Sequence, residues 1–224
     1  MPLNAKTQPG SGNTIRIPLE SGSYPARLLA VIDCGLQPQR PYQGQPKKPA
    51  HELLVTYELS DEFVLDEAGV PQEDKPRQVS ESFPFYSLDA ERAKSTIRYK
   101  VLDPTGTHEG DWVALVGTPI MLTVVQSPDR KNPERIYENV GGLSPMRSKE
   151  VDKLPAMVGD SKVFDLDEPD MDVFNSLYDW QKKKIVGNLE FENSKLQALL
   201  SNHEAADTTE VDEAPNDSLE ELAY

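Results

Sequence analysis

Two stretches of this chain set cations beside aromatic rings. The first, "GLQPQRPYQGQPKKPA", holds Arg40, Tyr42, Lys47 and Lys48, with four prolines and no carboxylate. The second, "SPDRKNPERIY", holds Arg130, Lys131, Arg135 and Tyr137. That mixture suits a single-stranded nucleic acid: cations follow the phosphates, and rings stack on bases for about 1–3 kcal/mol each. The plainer reading is a pair of ordinary solvated loops. The first has no acid and the second sets three cations against Asp129 and Glu134, which in an acidic chain favours the binding reading. A third set, Arg92, Lys94, Arg98 and Lys100 with Tyr99, falls in "SLDAERAKSTIRYKVLD". There a charged, solvated helix face is the heavier reading, and secondary DNA contacts are the lighter one.

Signatures of catalysis are missing. The chain has no phosphate-cradling Gly-rich loop with Lys-Ser/Thr, no G-x-S-x-G and no paired histidines at metal spacing. Cys34 is the only cysteine, so neither an intrachain disulfide nor a cysteine zinc site is expected. His51, His108 and His203 are far apart in sequence. "DEPDMD" lacks the glycine and distal glutamate of a calcium loop, and pairing with a helix dipole explains it. The expectation is a protein that is not an enzyme and needs no metal or cofactor.

Charge is segregated. The chain carries −15 overall, yet three blocks hold −20 between them: seven acids from Glu58 to Asp74, five from Asp165 to Asp172 and eight from Glu204 to Tyr224, none with a base. The remainder is therefore +5, and local field decides partner choice more than net charge does. The last block, "EAADTTEVDEAPNDSLEELAY", is too polar to offset its ordering entropy, which predicts a disordered acidic tail over 204–224. A signal peptide is not expected from "MPLNAKTQPGSGNT", and no apolar run is long enough for a membrane helix.

The elements that must position these residues read as strands. "YPARLLAVIDC" places Tyr24, Ala26, Leu28, Ala30 and Ile32 on one face; "HELLVTYEL" alternates Leu53, Val55, Tyr57 and Leu59 against polar neighbours. "RQVSESFPF" is a third strand, whose alternation places Phe83 and Phe85 on one face. Residues 60–76 form an acidic hairpin or excursion around Ala68-Gly69. A helix follows, capped by Ser87, with Ala90, Ala93, Ile97 and Val101 at helical spacing. "DWVALVG" is a short helix stopped by Gly117; "TPIMLTVVQ" and "RIYENVGGLSP" are the last two strands. After Pro145 the pattern turns helical: Met171, Phe174, Leu177 and Tyr178 make one stripe, and Gly187 divides it from a helix with Leu189, Leu196 and Leu199. Trp112 and Trp180 both read as core.

Five strands with a helix between the third and fourth is the element order of an OB-fold, which binds oligonucleotides through one face and the loops after strands one and four. A small β-sandwich gives a similar order. The expectation is mainly β: a flexible arm over 1–22, a five-stranded OB-fold-like barrel with an inserted helix over 23–147, a helical extension over 148–203 and the acidic tail.

Three motifs sharpen this. Gly22-x-Tyr24-Pro25-Ala26-Arg27, Val31-Ile32-Asp33-x-Gly35 and Leu115-x-Gly117-x-Pro119 resemble the OB-fold single-stranded-DNA-binding proteins of tailed bacteriophages, over about residues 20–147. The acidic tail with its terminal aromatic residue is similar too. The resemblance implies a non-enzymatic protein that coats exposed strands during phage replication or recombination, in the cytoplasm of a bacterial host. It implies a tail that recruits a polymerase, helicase or nuclease through residues such as Asp217, Glu220, Glu221 and Tyr224, and that competes with DNA for the basic groove. No motif fixes individual DNA contacts, and 148–203 carries no family motif. The rivals are a virion or assembly adaptor with a β-barrel core and no nucleic-acid role, and a replication enzyme such as a nuclease.

Overall fold

The computed structural model describes residues 17–209, with side chains to residue 202. Five strands form one antiparallel sheet: β1 (Gly22–Gln37), β2 (Ala50–Leu65), β3 (Pro71–Pro84), β4 (Pro119–Pro128) and β5 (Ile136–Pro145), in the order β3-β2-β1-β4-β5. The acidic stretch 60–76 is not a separate excursion. It continues β2 and β3 into a long hairpin, turned where Asp66 Oδ1 accepts the amides of Ala68 and Val70 and Gly69 takes φ +80°. The sheet curls until β3 and β5 approach each other, but no ladder joins them among the described residues. Side chains bridge the seam instead. Arg77 of β3 pairs with Glu138 of β5. Helix α1 (Lys94–Leu102) lies at the same seam, where Arg98 binds Glu81 of β3 at 2.8 Å and reaches the Val140 carbonyl of β5 at 3.5 Å.

That role corrects the expected helix. It begins at Lys94 with Ala93 as an uncapped N-cap, while Ser87 to Ala93 form turns. Its buried face is Ser95, Thr96, Arg98, Tyr99 and Leu102, and Ile97 is about half exposed. A helix over an open sheet seam must offer polar partners to buried groups, so its inward stripe is not the apolar one. A single 3-10 turn, Val113–Leu115, leads into β4, with Gly117 at φ +88°.

β1 is buried on both faces. A bulge between Leu28 and Ala30 places Leu29 and Ala30 in succession on the outer side, so the expected single stripe divides. Ala26, Leu28 and Val31 enter the core with Val55, Tyr57, Leu59, Leu115, Ile120 and Leu122. Ala30, Ile32 and Cys34 enter a second core with Leu54, Phe164, Phe174, Leu177, Ile185 and Leu196. One inserted residue moves every later side chain to the opposite face.

The second core is built by the segment after β5. Helix α2 (Ser148–Val151) leads to β6 (Lys162–Phe164), which runs parallel to β1 at Ala30–Ile32. Helices α3 (Met171–Ser176), α4 (Asp179–Val186) and α5 (Lys195–Thr209) follow. Asp170 caps α3 by accepting the amides of Asp172 and Val173. Burying side chains such as Ile185 and Leu196 contributes about 1.5–3 kcal/mol each. Glu58, itself buried, accepts the amides of Val158 and Gly159 at 2.7 Å each, which ties this segment to β2. The helical extension thus shares a core with the sheet.

Three further expectations change. Trp112 is core, but Trp180 is 51% exposed, because Gln181 and Ile185 take the inward face of α4. Tyr178 and Leu189 are exposed, and Leu189 precedes α5. Helix α5 runs on to Thr209, six residues into the span expected as the tail, and Ala205 and Ala206 favour helix there. At the other end, residues 17–21 are held against the sheet: Leu19 is buried, and its amide donates to Glu138. Residues 1–16 and 210–224, including Asp217, Glu220, Glu221 and Tyr224, lie outside the described residues.

Candidate nucleic-acid interface

The loop between β1 and β2 is shaped by a two-residue turn. Tyr42 and Gln45 exchange both backbone hydrogen bonds at 2.9 Å, with Gln43 at φ +50° and Gly44 at φ +78°. Two positive φ values in succession make a type I′ hairpin turn, which holds Tyr42 at its base. The Tyr42 ring is 61% exposed, and Lys47 Nζ stands 5.1 Å from its centroid. Arg40 and Lys48 are exposed on the same loop.

The loop between β4 and β5 is organised by a residue the sequence reading passed over. Asp129 accepts the Lys131 amide at 2.7 Å, the Asn132 amide at 3.3 Å and the Tyr137 hydroxyl at 2.8 Å. The Lys131 amide and then the Tyr137 hydroxyl hold its carboxyl below the usual range, and donating to Asp129 raises the Tyr137 hydroxyl. Arg135 Cζ lies 5.0 Å from the Tyr137 ring centroid, and Arg130 and Lys131 are exposed. Each loop therefore presents a partly exposed tyrosine with a cation over its ring, a contact worth about 0.5–1 kcal/mol at exposed sites.

The loops do not converge on one pocket. The first follows Gln37 at the end of β1; the second lies beyond its start, because Gly22 pairs with Val124 and β4 runs on to Pro128. The sixteen residues of β1 represent about 50 Å of contour at ~3.3 Å each, before bending. A ligand touching both loops must be extended.

The helix cations are mostly engaged. Arg98 is buried and bound to Glu81, so it is not available to DNA. Lys94 pairs with the same carboxylate at 2.6 Å, and Lys100 lies 3.8 Å from Glu91. Arg92 is exposed. Phe83 is core, 5.7 Å from Trp112 between ring centroids. Phe85 lies beyond the strand end at Pro84 and is 43% exposed, so the two do not share a face.

Two of the three motifs meet in the fold, and the third seats the C-terminal segment. Arg27 donates to the Gly117 carbonyl at 3.0 Å and to the Pro155 carbonyl at 3.2 Å. Asp33 Oδ1 accepts the Gly35 amide at 2.8 Å, and Gly35 sits at φ +69° beneath Asn188 and Leu166. These residues shape the sheet and seat the C-terminal segment. Comparison with protein-family models, curated proteins and solved structures finds no match. Among the described residues, no helix is long and apolar enough to cross a membrane.

Proposed function

We propose that this chain is a single-stranded-DNA-binding protein built on an OB-fold-like barrel, acting in phage replication or recombination within the bacterial cytoplasm. The observation that carries the reading is the pair of exposed tyrosine–cation contacts, Tyr42 with Lys47 and Tyr137 with Arg135, one on each hairpin loop. Their placement at opposite ends of β1 favours an extended polyanion over a small molecule. The strand order and the bridged β3–β5 seam support the OB-like description, since an OB barrel closes at that seam. DNA lies along the barrel, with phosphates near Arg40, Lys47, Lys48, Arg130, Lys131 and Arg135 and bases on Tyr42 and Tyr137. Arg92 is a lesser contact. The acidic C-terminal residues compete with DNA and recruit replication proteins. The test is titration of labelled oligo-dT and of duplex DNA: the single strand binds, and the duplex, whose stacked bases cannot reach the tyrosines, binds much more weakly. An adaptor without a nucleic-acid role ignores both.

A further inference from the structure

Three observations on the outer face of the sheet converge on α4. First, two carboxylates of β2, Glu52 and Glu58, are compensated by the C-terminal segment. Glu52 accepts Lys184 Nζ at 2.5 Å, and Glu58 accepts the Val158 and Gly159 amides. Second, α4 is tied to the foot of the first loop. Gln37 Nε2 donates to the Lys184 carbonyl at 2.9 Å, and Glu52 also accepts Gln39 Nε2 at 2.8 Å. Third, Trp180 stands one turn before Lys184 on the same flank of α4 and is 51% exposed. Lys184 also reaches Ser82 Oγ at 3.2 Å, in the exposed row Gln78, Ser80 and Ser82 of β3. That row is uncharged. Lys183, on the outward side of α4, is exposed, and its side chain makes no hydrogen bond or ion pair among the described residues.

We infer that α4 extends the DNA interface, with Trp180 as a third stacking ring and Lys183 as a further phosphate partner. The inference rests on the single-stranded-DNA reading. The physical case is continuity with the first loop combined with charge complementarity. A polyanion leaving Tyr42 and Lys47 meets Glu52 and Glu58 already bound, a helix that sets Lys182, Lys183 and Lys184 against the single carboxylate of Asp179, and a large exposed ring. Base stacking is the contact a flat, exposed indole offers a single strand. The segment that the sequence leaves as an unassigned helical extension thereby becomes part of the site.

The experiment uses the full chain and oligo-dT. Trp112 is buried, so quenching of exposed-tryptophan fluorescence reports Trp180. Titration is expected to quench that emission. Trp180→Ala is expected to weaken binding about tenfold with an unchanged salt slope, and Trp180→Phe to restore most of it. Lys183→Ala is expected to make the slope shallower by about 0.7. Unchanged thermal melting of each variant shows that the fold is kept. If the parent binds oligo-dT while Trp180→Ala and Lys183→Ala bind identically to it, α4 is overturned and the loop site stands. A parent that does not bind at all overturns both.

Discussion

Glu81 is almost fully buried, yet it holds Arg98, Lys94 and the Tyr57 hydroxyl, the last at 3.2 Å. A carboxylate in that position is tolerable only while its partners remain, and removing it strands a buried guanidinium. Glu81→Gln is therefore expected to cost about 3–5 kcal/mol in urea unfolding, with no change in the salt slope of DNA binding among molecules that stay folded. The double variant Lys47→Ala with Lys48→Ala has the opposite signature. Its stability stays within about 0.5 kcal/mol of the parent, while the slope becomes shallower by about 1.4. Asp33 offers a test in pH. Burial raises its carboxyl above the usual range, opposed by the Gly35 amide and by His51, with Asp165 adding to the rise. An acid raised in the folded state disfavours folding once ionised. Asp33→Asn, which keeps an oxygen for the Gly35 amide, is thus expected to be more stable than the parent at pH 7. The difference should narrow as pH falls through the raised value and vanish below the unfolded-chain value near ~3.9. Melting curves at several pH values check this, and a gain that grows toward low pH contradicts it.

At the scale of elements, strands were legible because period-two alternation in β2 and the apolar run of β4 follow from burial alone. The division of β1 was not, since a bulge leaves no mark in a run such as "LLAVI" that is apolar at every position. The face of α1 was not legible either: its inward Arg98 is explained only by Glu81 and Val140, which lie on other strands. The cations and rings of the two loops were legible from composition as exposed groups, whereas Asp129 was missed because its role is to organise backbone rather than to present charge. Trp180 was misread as core because apolar spacing alone does not say which side of a short helix meets the sheet. Gly35 and Gly69 allow a test of how the C-terminal segment docks. Both sit at positive φ, but a Cβ at Gly35 meets Asn188 Cγ at 2.8 Å and Leu166 Cδ1 at 2.9 Å, whereas nothing lies within 4 Å at Gly69. Gly69→Ala is expected to cost about 1–2 kcal/mol from its dihedral alone. Gly35→Ala should cost clearly more and should speed amide hydrogen exchange in β6 and α4. Equal costs would show that the segment does not press on Gly35.

For the whole molecule, the −15 chain divides into acidic blocks and a remainder of +5. One block is the long β2–β3 hairpin; another leads into α3; the last six acids fall in 210–224. Deleting 210–224 cuts after the last residue of α5, Thr209, and removes six of the eight acids of the expected competitor. The truncated chain is expected to bind oligo-dT more tightly than the full chain at low salt, with the two converging as salt screens the tail. Equal affinities at low salt would leave those residues a recruitment or solubility role only.

The central claim is that an electrostatic, stacking surface for single-stranded DNA spans the two hairpin loops. Its most direct measurement is the affinity of the full chain for labelled oligo-dT across a series of salt concentrations. Four to six neutralised phosphates at about −0.7 each predict a log–log slope of about −3 to −4. A slope near zero, or no binding at low salt, contradicts it.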